Sequence, residues 1–197
     1  MAGDGSFVST GGTVNITTDV QCTAPLDYTS TTIGGSGTLT LNAATNSLAG
    51  GTYDCGDIVV ARGATLAIAG QLRSDLVNDG TVTQNSGLTL GPGAAVLNHG
   101  EWTLSGNGSV VGNCASFDTV TFTNNGLLRF AGGGQMTFQA SCSPLLFSST
   151  TPIECEGGTA MILTSADRAD DLPRRPVYIH GSASDSFGPA YSQAPSF

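Results

Sequence analysis

The sequence predicts an all-β fold: a parallel β-helix (β-solenoid) over residues 1–150, with a short β-α-β appendage over residues 151–197. Three observations lead there. A phrase made of a Gly, a short alternating β-prone run and a Gly or Asn turn keeps returning between Thr31 and Phe138. No helical period or capping pair occurs before Glu156. Beyond Glu156 the pattern changes, and a helix start and a helix stop stand close together.

The recurring phrase is clearest in "GTLTL" from Gly37, "GATLAI" from Gly63 and "SGLTLG" around Gly87, at offsets of 26 and 24 residues. A second echo is interleaved with it: "LVNDGTV", "VLNHGEW" and "FTNNGLL" place Asn78, Asn98 and Asn124 two positions before Gly80, Gly100 and Gly126, at offsets of 20 and 26. Short alternating runs bounded by Gly and Asn read as strands and turns, the Asn and Gly being expected where the backbone needs positive φ. A unit of little more than twenty residues cannot bury its own apolar face. Stacked as coils, such units bring Leu39, Leu41, Leu66, Ile68, Leu88, Leu90, Leu104, Phe122, Leu128 and Phe130 into one core. An antiparallel β-sandwich is the alternative, because it also shows short strands with frequent turns.

The chain has 197 residues, enough for one good core or one domain with an appendage. With 39% apolar residues, 28 glycines and 11% charged residues it reads as folded rather than disordered. Its net charge of −9 is spread over both parts, which disfavours nucleic acid and anionic membrane as partners, since both need a basic face. No run of apolar residues is long enough to insert in a membrane, and the N-terminal residues lack the pattern of a secretory signal. There is no lysine, so neither Schiff-base chemistry nor a phosphate-loop lysine is available.

Cys22, Cys55, Cys114 and Cys142 lie in the β-rich part and Cys155 just beyond it. An even set of four suits disulfides and export, while buried reduced thiols suit the cytosol equally, so the compartment stays open. If the four are oxidised, Cys22 is expected to pair with Cys55 and Cys114 with Cys142, each pair on adjacent coils. Two glycosylation sequons begin at Asn15 and Asn107 and matter only in a glycosylating secretory route.

Several patterns invite a chemical reading. Asp54 with Asp57 and Asp75 with Asp79 are local carboxylate pairs, and a glycan-cleaving β-helix uses clustered carboxylates, but the favoured reading is solvated turn residues that keep a low-charge surface soluble. His99 and Glu101 flank Gly100 and can hold a metal only with a third ligand from another coil. Trp102 and Tyr53 are candidates for a sugar-stacking platform, with ordinary packing favoured. "GNGSVVG", Gly106 to Gly112, departs from the dinucleotide fingerprint in its last spacing and leads into no helix. No catalytic, cofactor or metal residue is assigned, and no cofactor is expected.

In the ending, "TAMILT" reads as a strand, Ser165 caps a helix running to Leu172, Pro173 and Pro176 stop it, and "PVYIHG" opens a second strand. The stretch "GGTAMILTSADRADDLPRRPVYIHGSA", Gly157 to Ala183, resembles an internal scaffold segment of thiolase-like proteins of the sterol-carrier and lipid-transfer type, a likeness that extends more thinly over residues 154–197. The resemblance implies acyl-CoA chemistry at a cysteine, yet neither Cys155 nor His180 stands in a context matching that family's catalytic motifs, so no catalytic role carries over. Residues 31–140, with their recurring Asn-x-Gly-x-apolar phrases, resemble in style the parallel β-helix repeats of bacterial surface and autotransporter-passenger proteins. That likeness implies an adhesive, structural or glycan-contacting surface.

The expectation is therefore a non-enzymatic β-solenoid of structural or surface-binding type, contacting a glycan or a protein surface, with self-association through the C-terminal segment as a further route. A thiolase-like acyltransferase or an inactive fragment of one is the alternative, and a glycan-active β-helix a weaker one.

Overall fold

The computed structural model describes residues 5–113, 118–132, 137–141 and 143–156. The chain divides into two compact units, Met1–Thr159 and Ala160–Phe197. The helix expected near Ser165–Leu172, the strands expected around it and His180 lie outside the described residues, as do Cys114 and Cys142.

Among the described residues the structure is all-β, with twenty strands and no helix. They form a 13-stranded and a 7-stranded sheet. One arm of the larger sheet contains β1 (Phe7–Ser9), β4 (Leu26–Thr29), the start of β7 (Asn46–Asp54), the start of β9 (Thr65–Leu72), β11 (Thr81–Gln84), β14 (Glu101–Ser105), β17 (Leu127–Ala131) and β20 (Ile153–Glu156). The other arm contains β2 (Thr13–Asn15), β5 (Thr32–Gly34), the ends of β7 and β9, β12 (Gly87–Leu90), β15 (Ser109–Gly112) and β18 (Thr137–Gln139). The smaller sheet runs β3 (Val20–Cys22), β6 (Leu39–Leu41), β8 (Asp57–Val60), β10 (Asp75–Asn78), β13 (Ala95–Asn98), β16 (Val120–Asn124) and β19 (Leu145–Ser149).

Every pairing among these strands is parallel, which rules out the antiparallel sandwich. Parallel neighbours need a long connection between them. Here that connection is most of a repeat: Val82 pairs with Trp102, and Trp102 with Leu128. The last strand, β20, pairs with β17 and carries Cys155 opposite Phe130, so the β part continues past residue 150.

The two-residue alternation seen in the sequence becomes a buried and an outward column along every sheet. Leu39, Leu41, Leu66, Ile68, Leu88, Leu90, Leu104, Phe122 and Leu128 are all buried in one cluster drawn from both sheets, and Phe130 packs partly buried against it. Each fully buried Leu contributes about 1.5–3 kcal/mol relative to exposure. The C-terminal end of the core is aromatic: Trp102 meets Phe122 edge-on at 5.0 Å, Phe122 meets Phe138 at 5.0 Å, and Phe138 lies 4.7 Å from Phe147.

The Asn-x-Gly echo has a different cause from the one expected. Ser30 is the only non-glycine with positive φ among the described residues, so Asn78, Asn98 and Asn124 are not left-handed turn residues. Instead they end β10, β13 and β16 in register, point inward and are fully buried. Asn78 Nδ2 donates to Asn98 Oδ1 at 2.7 Å, Asn98 Nδ2 to Asn124 Oδ1 at 2.6 Å, and Asn124 Nδ2 to Ser149 Oγ at 2.9 Å. Their amides also donate to the carbonyls of Glu101 and Leu127 in the turns that follow, so the buried polar groups are satisfied. Gly80, Gly100 and Gly126 are needed for space: a Cβ on Gly100 would overlap the carbonyl oxygen of Gly80, and one on Gly126 that of Gly100.

Candidate functional site

Stacking of parallel strands decides which chemically capable side chains become neighbours, and the neighbours are not those adjacent in sequence. Asp57 and Asp75 are register partners on β8 and β10. They stand side by side on the same face of one sheet, whereas glycoside hydrolysis needs carboxyl groups on the two sides of a scissile bond. Asp75 is further committed, since its Oδ1 accepts the backbone N–H of Ala95 at 2.9 Å. Asp19 does the same for Thr38 at 2.9 Å, so both act as side-chain caps to the next strand. Asp54 lies 3.8 Å from the guanidinium of Arg73.

Asp79 and His99 are stacked in the same way, with His99 Nδ1 3.1 Å from Asp79 Oδ1 and both side chains about half exposed. Glu101, the other expected partner of His99, turns instead to Arg129, 3.3 Å away, and accepts the hydroxyl of Thr103 at 3.2 Å. Arg129 also reaches Glu154 at 3.2 Å and Glu156 at 3.6 Å, and these neighbouring carboxylates raise its pKa, the hydrogen bond to Glu154 first. This one cation joins β14, β17 and β20. His99 and Glu101 thus serve separate contacts, and no group of three metal-ligating side chains forms among the described residues.

Trp102 and Tyr53 are fully buried, so packing accounts for both and neither offers a ring to a sugar. Trp102 Nε1 donates to Gln84 Oε1 at 3.2 Å, and Gln84, itself fully buried, donates to the carbonyls of Ser86 and Ser109. Tyr53 donates its hydroxyl to Ala69 O at 2.9 Å and accepts from Gly51 N at 3.2 Å, and burial pushes its pKa up to about 12. The segment Gly106 to Gly112 turns directly into β15, a strand, with no helix terminus to meet a phosphate.

Cys22 and Cys55 are both buried and free, so the bridge expected between them is not formed. Register supplies the reason. Cys22 ends β3 opposite Leu41, which lies opposite Val60, so the residue two rungs above Cys22 is Val60 rather than Cys55. Cys55 sits in the turn before β8, where Ser74 Oγ accepts its N–H at 2.9 Å and donates to its carbonyl at 2.9 Å. Burial raises both thiol pKa values. We expect a thiol reagent to modify exposed Cys155 in the native protein and to reach Cys22 and Cys55 only after denaturation. Mass mapping of the labelled peptides checks this.

Next to these charged groups, the outward columns also present runs rich in hydroxyls. Thr65 pairs with Thr81, and Thr83 with Thr103, on one arm of the larger sheet. Thr52, Gln71 and Thr89 follow one another on the other arm. This hydroxyl and amide surface is the candidate binding face. Both sequon asparagines are exposed, Asn15 on β2 and Asn107 in the turn before β15. No family model, no curated protein and no solved structure matches the chain.

Proposed function

We propose that residues 5–156 form a parallel β-helix that works without catalysis, as a structural or surface-binding module whose hydroxyl-bearing outward columns meet a glycan or protein surface. One observation carries the reading: the side chains best suited to chemistry are taken up in contacts from rung to rung. Asp75 and Asp19 cap backbone amides, Asp79 holds His99, Glu101 holds Arg129, Tyr53 bonds the backbone of Gly51 and Ala69, and Trp102 bonds Gln84 in the core. The strands, the Asn ladder and the stacked glycines supply a stiff, repeating frame, which suits display better than the precise opposition of groups that acid–base chemistry needs.

The test has two arms. Incubation with acetyl-CoA and acetoacetyl-CoA followed by intact-mass measurement is expected to leave the protein unmodified. An acyl adduct that disappears in Cys155→Ala would move the assignment to the thiolase-like acyltransferase. Incubation with a panel of polysaccharides is expected to show retention without shortening of the chains. Shortening that is lost in Asp57→Asn with Asp75→Asn would establish a glycan-active enzyme instead.

A further inference from the structure

Two Asn-Gly steps lie in turns, Asn107-Gly108 before β15 and Asn125-Gly126 between β16 and β17, and both asparagines are exposed. Such a step is chemically reactive, because the glycine nitrogen can close onto the asparagine carboxamide carbon with no side chain in its way. The fold treats the two steps differently. The N–H of Gly108 donates to the carbonyl of Ser105 at 3.1 Å, and Gly108 is buried. The N–H of Gly126 has no hydrogen-bond partner among the described residues, and Gly126 is only half-buried. The carboxamide of Asn125 is held from the next rung, where Thr150 Oγ1 donates to Asn125 Oδ1 at 2.9 Å. The N–H of Thr150 is fixed in turn on the carbonyl of Asn124 at 2.9 Å.

We propose that Asn125 is a site of self-modification, at which the Gly126 nitrogen displaces the side-chain amide of Asn125 as ammonia with help from the Thr150 hydroxyl. The bond that forms joins Gly126 N to Asn125 Cγ, and the bond that breaks is Asn125 Cγ–Nδ2. The Gly126 N–H proton passes to solvent base, the departing amide takes a proton from water, and a cyclic imide remains. Water then opens the ring at either carbonyl, leaving aspartate or isoaspartate. Negative charge develops on Oδ1 as the nitrogen adds, and Thr150 already donates to that atom, so its hydrogen bond strengthens as the transition state is reached. Gly126 needs to break no backbone bond to react, whereas Gly108 must first give up Ser105. The products differ in their effect on the fold. Aspartate keeps the backbone length, but isoaspartate adds a carbon to the main chain directly before Gly126. That glycine is packed so closely that a Cβ would overlap the Gly100 carbonyl oxygen, so isoaspartate displaces the start of β17. The reaction is independent of the surface-binding reading.

The test ages the full chain at mildly alkaline pH and maps it by mass spectrometry that separates aspartate from isoaspartate peptides. Asn125 is expected to convert several-fold faster than Asn107 in the native protein. Thr150→Val keeps the backbone bond to Asn124 but removes the hydroxyl, and is expected to slow Asn125 several-fold while leaving Asn107 unchanged. Thr150→Ser is expected to restore the parent rate. In concentrated urea both the preference for Asn125 and the effect of Thr150→Val are expected to vanish. Conversion of Asn107 as fast as Asn125 in the native chain overturns the proposal. So does an unchanged Asn125 rate in folded Thr150→Val, or a preference that persists undiminished in urea, which would make it a property of local sequence. The comparison of Asn125 with Asn107 needs no variant and decides the matter if Thr150→Val fails to fold.

Discussion

Gly100→Ala is expected to destabilise the protein by about 3 kcal/mol or more, at the upper end of what overpacking costs. A Cβ at this position overlaps the Gly80 carbonyl oxygen and crowds the backbone of Asp79. The obstacle is main chain, not the flexible end of a side chain, and it cannot move alone. Gly80 is itself packed against the carbonyls of Ala61 and Ala64, and Gly126 against Gly100, so relief at one turn transfers the overlap to the next. The favourable effect of Gly→Ala on the unfolded chain, about 0.4–1 kcal/mol, is too small to offset this. Gly63 provides the contrast. It has φ +84° and open space where a Cβ would go, so Gly63→Asn, a residue that tolerates the left-handed region, is expected to cost about 1 kcal/mol or less. Urea unfolding of the two variants beside the parent checks both numbers. Equal costs at Gly100 and Gly63 would show that conformation, and not close approach, governs both glycines.

Asn98→Asp is expected to be the most damaging change of a single functional group, at about 3–5 kcal/mol near neutral pH. Asn98 accepts from Asn78 on one side and donates to Asn124 Oδ1 and Leu127 O on the other. A carboxylate keeps the first bond but turns an oxygen toward two acceptors, within a fully buried ladder. Both desolvation and those oxygens raise the folded-state pKa of the new carboxyl above its unfolded value of about 3.9. The folded form then binds the proton more tightly than the unfolded form. Stability of the variant relative to the parent is therefore highest below about pH 4 and falls as the pH rises through the folded pKa. Asn125→Asp, one residue beyond the next rung of the ladder and exposed, is expected to change stability by only about 0.5 kcal/mol. Thermal unfolding across this pH range checks the prediction. A pH-independent cost at Asn98 would mean that the ladder is open to water.

The two asparagines in the last comparison show how far the sequence is legible. Asn124 and Asn125 are adjacent and chemically identical, and nothing local marks one as core and the other as surface. In the fold Asn124 is fully buried, while Asn125 is exposed and accepts the hydroxyl of Thr150 at 2.9 Å. The echo at Asn78, Asn98 and Asn124 was visible, and the signal that could have identified an inward ladder was phase: each Asn lies two positions after an inward apolar residue, Leu76, Val96 or Phe122. Reading Asn and Gly together as turn formers hid it, because positive φ and lack of space select the same residue, glycine, for different reasons.

Strand alternation, the repeat of little more than twenty residues and the burial of nearly all the expected core were determined by the sequence itself, because they depend on side chains two apart on one strand or on a pattern recurring along the chain. The partnerships were decided only by tertiary structure: Asp57 beside Asp75, Asp79 beside His99, Arg129 among Glu101, Glu154 and Glu156, and Cys22 away from Cys55. The physical reason lies in the unequal length of the repeats. Leu66 finds its partner at Val82, whereas Trp102 finds its partner at Leu128, and a side chain meets another across parallel strands only where the accumulated register brings them level.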